Sequence, residues 1–343
     1  MATYYDIFGQ KVQYLASDPS PVTKGQVWYN STSNTLKIRT YRNAVWTSGA
    51  TTPYAARSTR GFGDSKNSAQ IFGGYTTTAV TTSAEYDGSS WTGTPSLNTA
   101  TYASSVGVGV KASAITVGGS GGNSEEWDGS SWSNITAYPN NPNSVENTGG
   151  FGTTTAGYFM GGSSPTPSMP TVKPSTIKWN GSAWSALNPM SIGRTDMGSC
   201  GTSTAAIVFG GESGFPPSYP GVRDQQEDWD GTCWTASPAS LNTPRYAFST
   251  CQNGPAATAW AGGGYTPAIT ETYKSTEEYD GTTWSNSPAT VTYEARGGQG
   301  AGGIQGASGF MANGTYPGNP TFNTDGCSEF DPGAMETQTV TVS

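Results

Sequence analysis

The sequence predicts an all-β protein, arranged as a six-bladed β-propeller with an N-terminal arm and a small β-meander before it. A short motif recurs along the chain, in which an aromatic residue is followed by Asp-Gly or Asn-Gly, two further residues and Trp. The first aromatic residues of successive copies stand at 86, 127, 179, 229, 279 and 330, which are 41, 52, 50, 50 and 51 residues apart. The chain also has 47 Gly and 11 Trp but only five Leu, a composition that argues against helices and against disorder.

Each motif copy is interpreted as a tight hairpin. The Asp-Gly or Asn-Gly pair supplies the positive φ angles that a two-residue reversal needs, and the Trp then covers a sheet face. Five copies are nearly identical and a sixth is eroded, at 85–91, 126–132, 178–184, 228–234, 278–284 and 329–335. We expect their tryptophans to be structural residues of the repeat: Trp91, Trp132, Trp184, Trp234 and Trp284.

Each unit has the order expected of a propeller blade. A strand of small residues comes first, a second strand ends in Gly-Gly, and a variable loop leads to the third strand, the hairpin and the Trp strand. Four short strands at a period of about 40–50 residues are typical of a blade. The Gly-Gly pairs are predicted at 73–74, 118–119, 161–162, 210–211 and 262–263, with Asn313-Gly314 in the sixth unit.

The chain before the repeats divides into two further segments. Residues 1–24 are predicted as an extended arm, residues 25–52 as a β-meander or partial blade, and residues 53–343 as the propeller. In the meander, strands at 25–30, 36–41 and 45–47 are expected, and a seventh blade built mostly from residues 25–48 is the alternative. The arm has no core of its own, and its apolar side chains are expected to contact a partner or the domain itself; the candidate anchor residues are Tyr4, Tyr5, Phe8 and Tyr14.

The order of Arg, strand, Gly-Gly, aromatic-Asp-Gly, Trp and Pro resembles kelch repeats over about residues 53–338. The sixth repeat departs from that pattern, because Met335 stands where the other copies have Trp. The segment 5–10 together with 25–35 is similar to the opening of virion structural proteins from tailed phages of marine bacteria. This resemblance implies a tail-fibre, receptor-binding or capsid-surface protein, made in the host cytoplasm and present in many copies or as a homo-oligomer in the particle.

Composition excludes several functions. The net charge is −8 without a Lys/Arg cluster, which argues against nucleic-acid binding, and no apolar run is long enough to span a membrane. The chain has no His, so catalysis by Ser-His-Asp or Cys-His groups and His-based metal sites are excluded. No cofactor and no metal are expected, and the four cysteines are interpreted as small buried residues.

Two recurrent sets of charged residues suggest chemistry. Arg57, Arg194, Arg245 and Arg296 introduce four of the six units and are expected either to form an anion-binding ring or to pack on aromatic residues and bond loop carbonyls between blades. Carboxylates recur at 125–126, 224–228 and 277–278, and this recurrence favours a repeated structural feature over a catalytic pair.

The loops after Gly-Gly in the third, fourth and fifth units are long and carry aromatic residues and proline. They are expected to collect on one face and to bind a partner or a host surface glycan or protein, through Met169, Phe215, Tyr219, Tyr265 and Tyr273. The function predicted is therefore a non-enzymatic virion component, with other virion proteins held by the arm. A glycan-cleaving propeller enzyme and an intracellular kelch-type adaptor are the alternatives.

Overall fold

The computed structural model describes residues 12–21, 25–102, 107–119, 123–139, 146–164, 171–214, 221–252, 254–265, 274–293, 308–315 and 323–340. In this part of the chain the only helical element is a single 3-10 turn at Ala256–Thr258, so the all-β prediction is confirmed. The chain forms two compact units, one of residues 45–331 and one that joins residues 1–44 to 332–343.

The strands of the two units have the following bounds: β1 Gln13–Leu15, β2 Val27–Asn30, β3 Thr35–Arg42, β4 Val45–Ser48, β5 Arg60–Ser65, β6 Ser68–Phe72, β7 Ser83–Tyr86, β8 Trp91–Thr94, β9 Val108–Val110, β10 Ser113–Thr116, β11 Glu125–Trp127, β12 Trp132–Asn134, β13 Gly149–Thr153, β14 Ala156–Met160, β15 Ser163–Ser164, β16 Thr171–Val172, β17 Thr176–Trp179, β18 Trp184–Leu187, β19 Gly198–Gly201, β20 Ala206–Phe209, β21 Gln225–Trp229, β22 Trp234–Ser240, β23 Ser249–Thr250, β24 Trp260–Gly262, β25 Ser275–Tyr279, β26 Trp284–Thr290, β27 Gly309–Thr315, β28 Asn323–Asp331 and β29 Ala334–Thr339.

The larger unit is a series of small antiparallel sheets. Five have four strands in chain order, and we number them sheet 1 (β5 to β8), sheet 2 (β9 to β12), sheet 3 (β13, β14, β17, β18), sheet 4 (β19 to β22) and sheet 5 (β23 to β26). Sheet 6 contains β27, β28 and β4 within the described residues, and β15 pairs with β16 in a separate hairpin. This arrangement is consistent with a β-propeller.

Hairpins form at the predicted motifs in the five regular sheets, but only the Gly of each Asp-Gly or Asn-Gly pair has a positive φ, so the pair does not itself form the two-residue reversal that was predicted. The first aromatic residue of each motif pairs directly with its Trp, as Tyr86 does with Trp91 and Tyr279 with Trp284. The Gly of the turn has a positive φ in every copy, for example +93° at Gly281. The sequence motif therefore fixes both the reversal and the register of the last two strands.

Trp46 takes the place of the Trp that the sixth motif lacks. Phe330 on β28 pairs with Trp46 on β4, in the register that joins Tyr279 to Trp284. Residues 45–47 were expected to return along the meander, and this is corrected, because β4 is hydrogen-bonded to β28. Met335 does not replace Trp either, since β29 places it opposite Tyr41 in the smaller unit. The unit boundaries at 44/45 and 331/332 also differ from those predicted from composition.

Neighbouring sheets of the larger unit contact one another through aromatic side chains. Each of the six sheet-to-sheet contacts contains a ring pair with centroids 4.6–6.4 Å apart. These pairs join sheets 1 and 2, 2 and 3, 3 and 4, 4 and 5, 5 and 6, and 6 and 1, and in that order they are Phe72–Trp132, Tyr138–Phe159, Phe151–Trp234, Phe209–Trp284, Trp260–Trp46 and Phe310–Trp91. The core of the unit therefore lies between sheets.

The first strand of sheet 4 consists of small residues because neighbouring side chains come close there. β19, with the sequence Gly-Ser-Cys-Gly, is buried throughout. A Cβ atom on Gly198 would lie 2.5 Å from Phe209 and 2.7 Å from Phe248. These distances are too short for any larger residue, as the sequence predicted for this strand.

The smaller unit contains one sheet in the order β1-β2-β3-β29. β1 runs parallel to β2, and β29 runs antiparallel to β3. Asp18 follows β1 and accepts hydrogen bonds from Trp28 Nε1 at 3.0 Å, Asn30 Nδ2 at 2.7 Å and Lys37 Nζ at 2.7 Å. The part of the predicted arm that is described is thus held against its own sheet.

Of the candidate anchor residues, Tyr4, Tyr5 and Phe8 lie outside the described residues. Tyr14 lies on β1, where its ring stacks on Tyr29 with centroids 5.2 Å apart and remains 74% exposed. β1 is an edge strand of the sheet, so Tyr14 stands on a free edge of this unit.

Candidate functional site

The candidate site is the edge of the larger unit at which the second strands end, which we call the loop edge. The second strand of each sheet ends in a turn of two residues with positive φ, which we call a corner. At four of these corners, the next residue pairs with a residue just before the first strand of the same sheet. The backbone bridges are Arg57 with Tyr75, Glu146 with Ser163, Thr195 with Glu212 and Tyr246 with Tyr265. The three long loops start immediately after the bridges at Ser163, Glu212 and Tyr265, so these bridges form the base from which the long loops extend.

Two residues with positive φ turn the chain at each corner. They are 73–74, 118–119, 161–162, 210–211, 263–264 and 313–314. The pair predicted at 262–263 is therefore shifted by one residue, while Asn313 does adopt a glycine-like φ of +63°. A Cβ on Gly161 would lie 2.3 Å from the carbonyl oxygen of Arg194, and Gly162 N donates to that oxygen at 2.9 Å. Glycine is needed because the next sheet approaches the backbone directly.

Tyrosines gather at the loop edge. Tyr265, a predicted binding residue, is half-buried and packs edge-on against Tyr246 at 5.2 Å. Tyr75 holds the equivalent position in sheet 1, with Tyr102 at 5.1 Å and the guanidinium of Arg57 at 4.4 Å from its ring centre. The other predicted binding residues lie outside the described part of the chain: Met169, Phe215, Tyr219 and Tyr273.

Sequence reasoning missed Tyr75, although the signal was present. Tyr75 follows Gly73-Gly74 directly, as Tyr265 follows Gly263-Gly264. The loop after Tyr75 is not among the long ones, so loop length alone overlooked it.

A charged cluster also lies at the loop edge and was not predicted. Arg60 on β5 is 2% exposed and donates from Nη2 to Asn147 Oδ1 at 2.6 Å, with Asp196 Oδ1 at 3.8 Å. These three residues come from sheets 1, 3 and 4, far apart in sequence. Burial raises the pKa of nearby Glu146, and the negative charge of Asp196 raises it further.

The arginines that were predicted to form a ring have different structural roles. Arg194 and Arg245 are fully buried, and each donates to backbone carbonyls and to one carboxylate. Arg245 also donates to the side-chain oxygen of Ser275. Arg194 Nη2 lies 2.9 Å from Glu227 Oε1 and Arg245 Nη2 lies 2.8 Å from Glu277 Oε1. Arg57 is not equivalent to them, since its backbone bridges Tyr75 as Tyr246 bridges Tyr265. Of the two expectations, Arg194 and Arg245 therefore follow the one in which the guanidinium bonds backbone carbonyls. Arg296 lies outside the described residues.

The recurrent carboxylates serve the links between sheets. Glu277 accepts hydrogen bonds from the backbone N–H groups of Asn242 and Thr243, which precede the first strand of its sheet. Glu125 does the same for residues 98 and 99, and Glu227 for residue 191. One carboxylate therefore fastens the incoming link in sheets 2, 4 and 5, which explains why it recurs.

The Asp side chains of the hairpins fold back onto their own turns. Asp128 Oδ1 accepts from the N–H groups of Ser130 and Ser131 at 2.7 Å, and Asn180 Oδ1 accepts equivalent bonds at 3.0 and 2.8 Å. Hydrogen bonds from the Ser130 side chain and from these N–H groups lower the pKa of Asp128 to about 2. The role is structural and independent of the loop edge.

This geometry predicts an acid-labile contribution to stability. Because the folded pKa of Asp128 lies below its unfolded value of about 3.9, its contribution is present above pH 4 and is lost as pH falls towards 2. Asp128→Asn should keep the turn, as Asn180 does, without that titration. Unfolding by urea at pH 7 and at pH 2.5 should therefore show the wild type losing more stability than the variant. Equal losses in both proteins would contradict the coupling.

The repeat tryptophans occupy the sheet interfaces. Trp132, Trp234 and Trp284 are less than 9% exposed, while Trp91 and Trp184 are half-buried. Trp234 Nε1 donates to Thr176 Oγ1 at 2.9 Å and Trp284 Nε1 to Gln226 Oε1 at 2.8 Å, both in the preceding sheet. Each Trp therefore joins its own hairpin to the neighbouring sheet.

Two properties of the described residues bear on ligands and membranes. They contain no group of three or more His, Cys, Asp or Glu side chains placed to hold a metal ion. They also contain no helix long and apolar enough to cross a membrane.

No protein-family model matches the sequence, and no curated protein matches it either.

Proposed function

We propose that this protein recognises a partner through the loop edge and has no catalytic role. The observation that carries the proposal is that the charged residues and the tyrosines have different structural roles. The buried Arg–Glu pairs and the repeated carboxylates are engaged in bonds that fasten each incoming link to its own sheet. Tyrosines stand instead where loops leave the loop edge: Tyr265 begins a long loop, and Tyr75 holds the equivalent position in sheet 1. Tyrosine provides a large contact area with little conformational freedom to lose, which suits binding.

The scaffold we propose is a closed propeller of six blades, one for each numbered sheet. The contact between Phe310 of sheet 6 and Trp91 of sheet 1 supports closure, as does the bond from Gly314 N to Ala56 O at 2.9 Å. Strand β4 then completes the last blade from the other end of the chain. Six blades are favoured over seven because residues 25–42 belong to the smaller unit.

We further propose that the protein is a structural component of a phage particle, on the basis of the resemblance of its N-terminal segment to virion proteins. In this proposal the N-terminal region contacts other virion proteins, and the loop edge meets a host-surface glycan or protein. The exposed ring of Tyr14 on an edge strand is compatible with such an anchor.

A glycan-cleaving enzyme is the second candidate, and one observation favours it. Glu146 and Asp196 are two carboxylates beside Arg60, and the pKa of Glu146 is raised, as that of a general acid is. Turnover of a glycan that disappears in both Glu146→Gln and Asp196→Asn would establish the enzyme and reject the binding protein.

Paired variants test the proposed division between anchor and binding edge. Removing residues 1–11 deletes Tyr4, Tyr5 and Phe8 but retains β1 and Asp18, so we expect a folded chain that fails to join the particle. Tyr75→Ala with Tyr265→Ala should give particles that contain the chain but bind host cells less well. The readouts are circular dichroism of the isolated chain, the amount of chain in purified particles, and particle adsorption to cells.

Normal incorporation of the shortened chain, or its unfolding in isolation, would reject the anchor. Unchanged adsorption of particles with the double Tyr variant would reject the loop edge as the binding surface. Val45→Ala, on an exposed position of β4, is a matched control that should alter neither readout.

A further inference from the structure

Two cysteines from different sheets lie in contact inside the larger unit. Cys200 is on β19 of sheet 4, and Cys251 directly follows β23 of sheet 5. Their Sγ atoms are 3.0 Å apart, and both residues are fully buried. The Cys200 sulfur also lies 3.1 Å from the carbonyl oxygen of Gly254.

The fold itself sets this contact. Ala247 N donates to Asp196 O at 3.0 Å just before the two first strands begin. Cys200 lies four residues after Asp196 and Cys251 lies four residues after Ala247, so the two strands bring the cysteines side by side. Backbone bonds therefore place the two cysteines next to each other, and their side-chain rotamers set the distance between the sulfurs.

The separation is close to that needed for a covalent bond. A disulfide has its sulfurs about 2.0 Å apart, so the two atoms need to approach by about 1 Å. Rotations about the two Cα–Cβ bonds supply movements of this size without displacing the strands.

We propose that Cys200 and Cys251 are a modification site, at which the folded protein forms a disulfide that joins sheets 4 and 5 when it meets a small peroxide oxidant. One thiolate attacks hydrogen peroxide and becomes a sulfenic acid, with release of one water. The sulfur of the second cysteine then displaces the hydroxyl group to form the S–S bond, with release of a second water. Two thiols are oxidised and one peroxide is reduced in the overall step.

The site is selective for small oxidants. Both sulfurs are buried, so bulky disulfide reagents reach them only when the sheets separate. Burial also raises the pKa of the Cys200 thiol well above its usual range, which keeps its thiolate fraction low at neutral pH.

Peptide mapping tests the proposal directly, because trypsin places each cysteine in a different peptide. Cleavage after Lys and Arg gives 195–223 with Cys200, 224–245 with Cys233, 246–274 with Cys251 and 297–343 with Cys327. After treatment of the folded protein with hydrogen peroxide, alkylation in denaturant and digestion without reductant, we expect 195–223 linked to 246–274. Cys233→Ser is the matched control and should give the same linked pair.

The cross-link should also raise the melting temperature by roughly 5 °C, because it closes a long loop in the unfolded chain. Dithiothreitol should reverse the shift, and Cys251→Ala should abolish it. Recovery of 195–223 and 246–274 as separate peptides, with alkylated or over-oxidised cysteines, would overturn the proposal. Linkage through Cys233 or Cys327 would also overturn it. Peptide mapping of the wild type decides the matter even if Cys251→Ala fails to fold.

Discussion

Arg245→Ala is expected to lower the free energy of unfolding by about 3–5 kcal/mol, the range for removing one partner of a buried ion pair. The guanidinium is fully buried and bonds Glu277 together with the carbonyls of Gly263 and Ser275. Its removal leaves one buried charge without its counter-charge and takes one donor from each of the carbonyls of Gly263 and Ser275. Urea unfolding at pH 7, followed by circular dichroism, measures the loss.

Two variants calibrate this result. Arg194→Ala should produce a loss of similar size, because Arg194 makes the equivalent bonds in sheet 4. Lys111→Ala breaks a pair with Glu85 whose two side chains are 30% and 36% exposed, so it should change stability by less than about 1 kcal/mol. A loss for Arg245→Ala no larger than that for Lys111→Ala would refute the structural role of the buried pair.

Trp46→Ala should lower the free energy of unfolding by about 3–5 kcal/mol, as expected for truncating a large buried aromatic residue. Trp46 is 6% exposed, packs on Trp260 and Phe330, and donates from Nε1 to Thr276 Oγ1 at 2.8 Å. Its loss would both empty the interface between sheets 5 and 6 and leave Thr276 without this donor. Thermal and urea unfolding measure the effect.

The comparison with Trp284→Ala decides whether Trp46 is the sixth repeat tryptophan. Trp284 is equally buried and makes the equivalent Nε1 bond to the preceding sheet, so the two losses should agree within about 1 kcal/mol. Val45→Ala lies on the same strand with 40% exposure and should be nearly neutral. A melting temperature of Trp46→Ala close to that of the wild type would show that β4 is dispensable for the last sheet.

The candidate site was only partly accessible from the sequence. Tyr265 could be found because it follows a Gly-Gly corner at the start of a long loop. Tyr75 follows a Gly-Gly corner of its own, so the same pattern could have indicated it. The cluster of Arg60, Asn147 and Asp196 could not be found, since these residues belong to three sheets and lack a shared motif. The contact of Cys200 with Cys251 was hidden for the same reason, as it depends on two first strands lying side by side.

The sequence by itself determined the all-β class, the repeat and the hairpins. These features depend on neighbouring residues, because Asp-Gly and Asn-Gly set the turn and the turn sets the register of the flanking strands. Only the tertiary structure decided which strand completes sheet 6, because β4 and β28 are held by backbone bonds between residues almost 300 positions apart. It also decided that Arg194 and Arg245 are buried in ion pairs whereas Arg57 lies on Tyr75, since one residue of offset along the chain changes what surrounds a side chain.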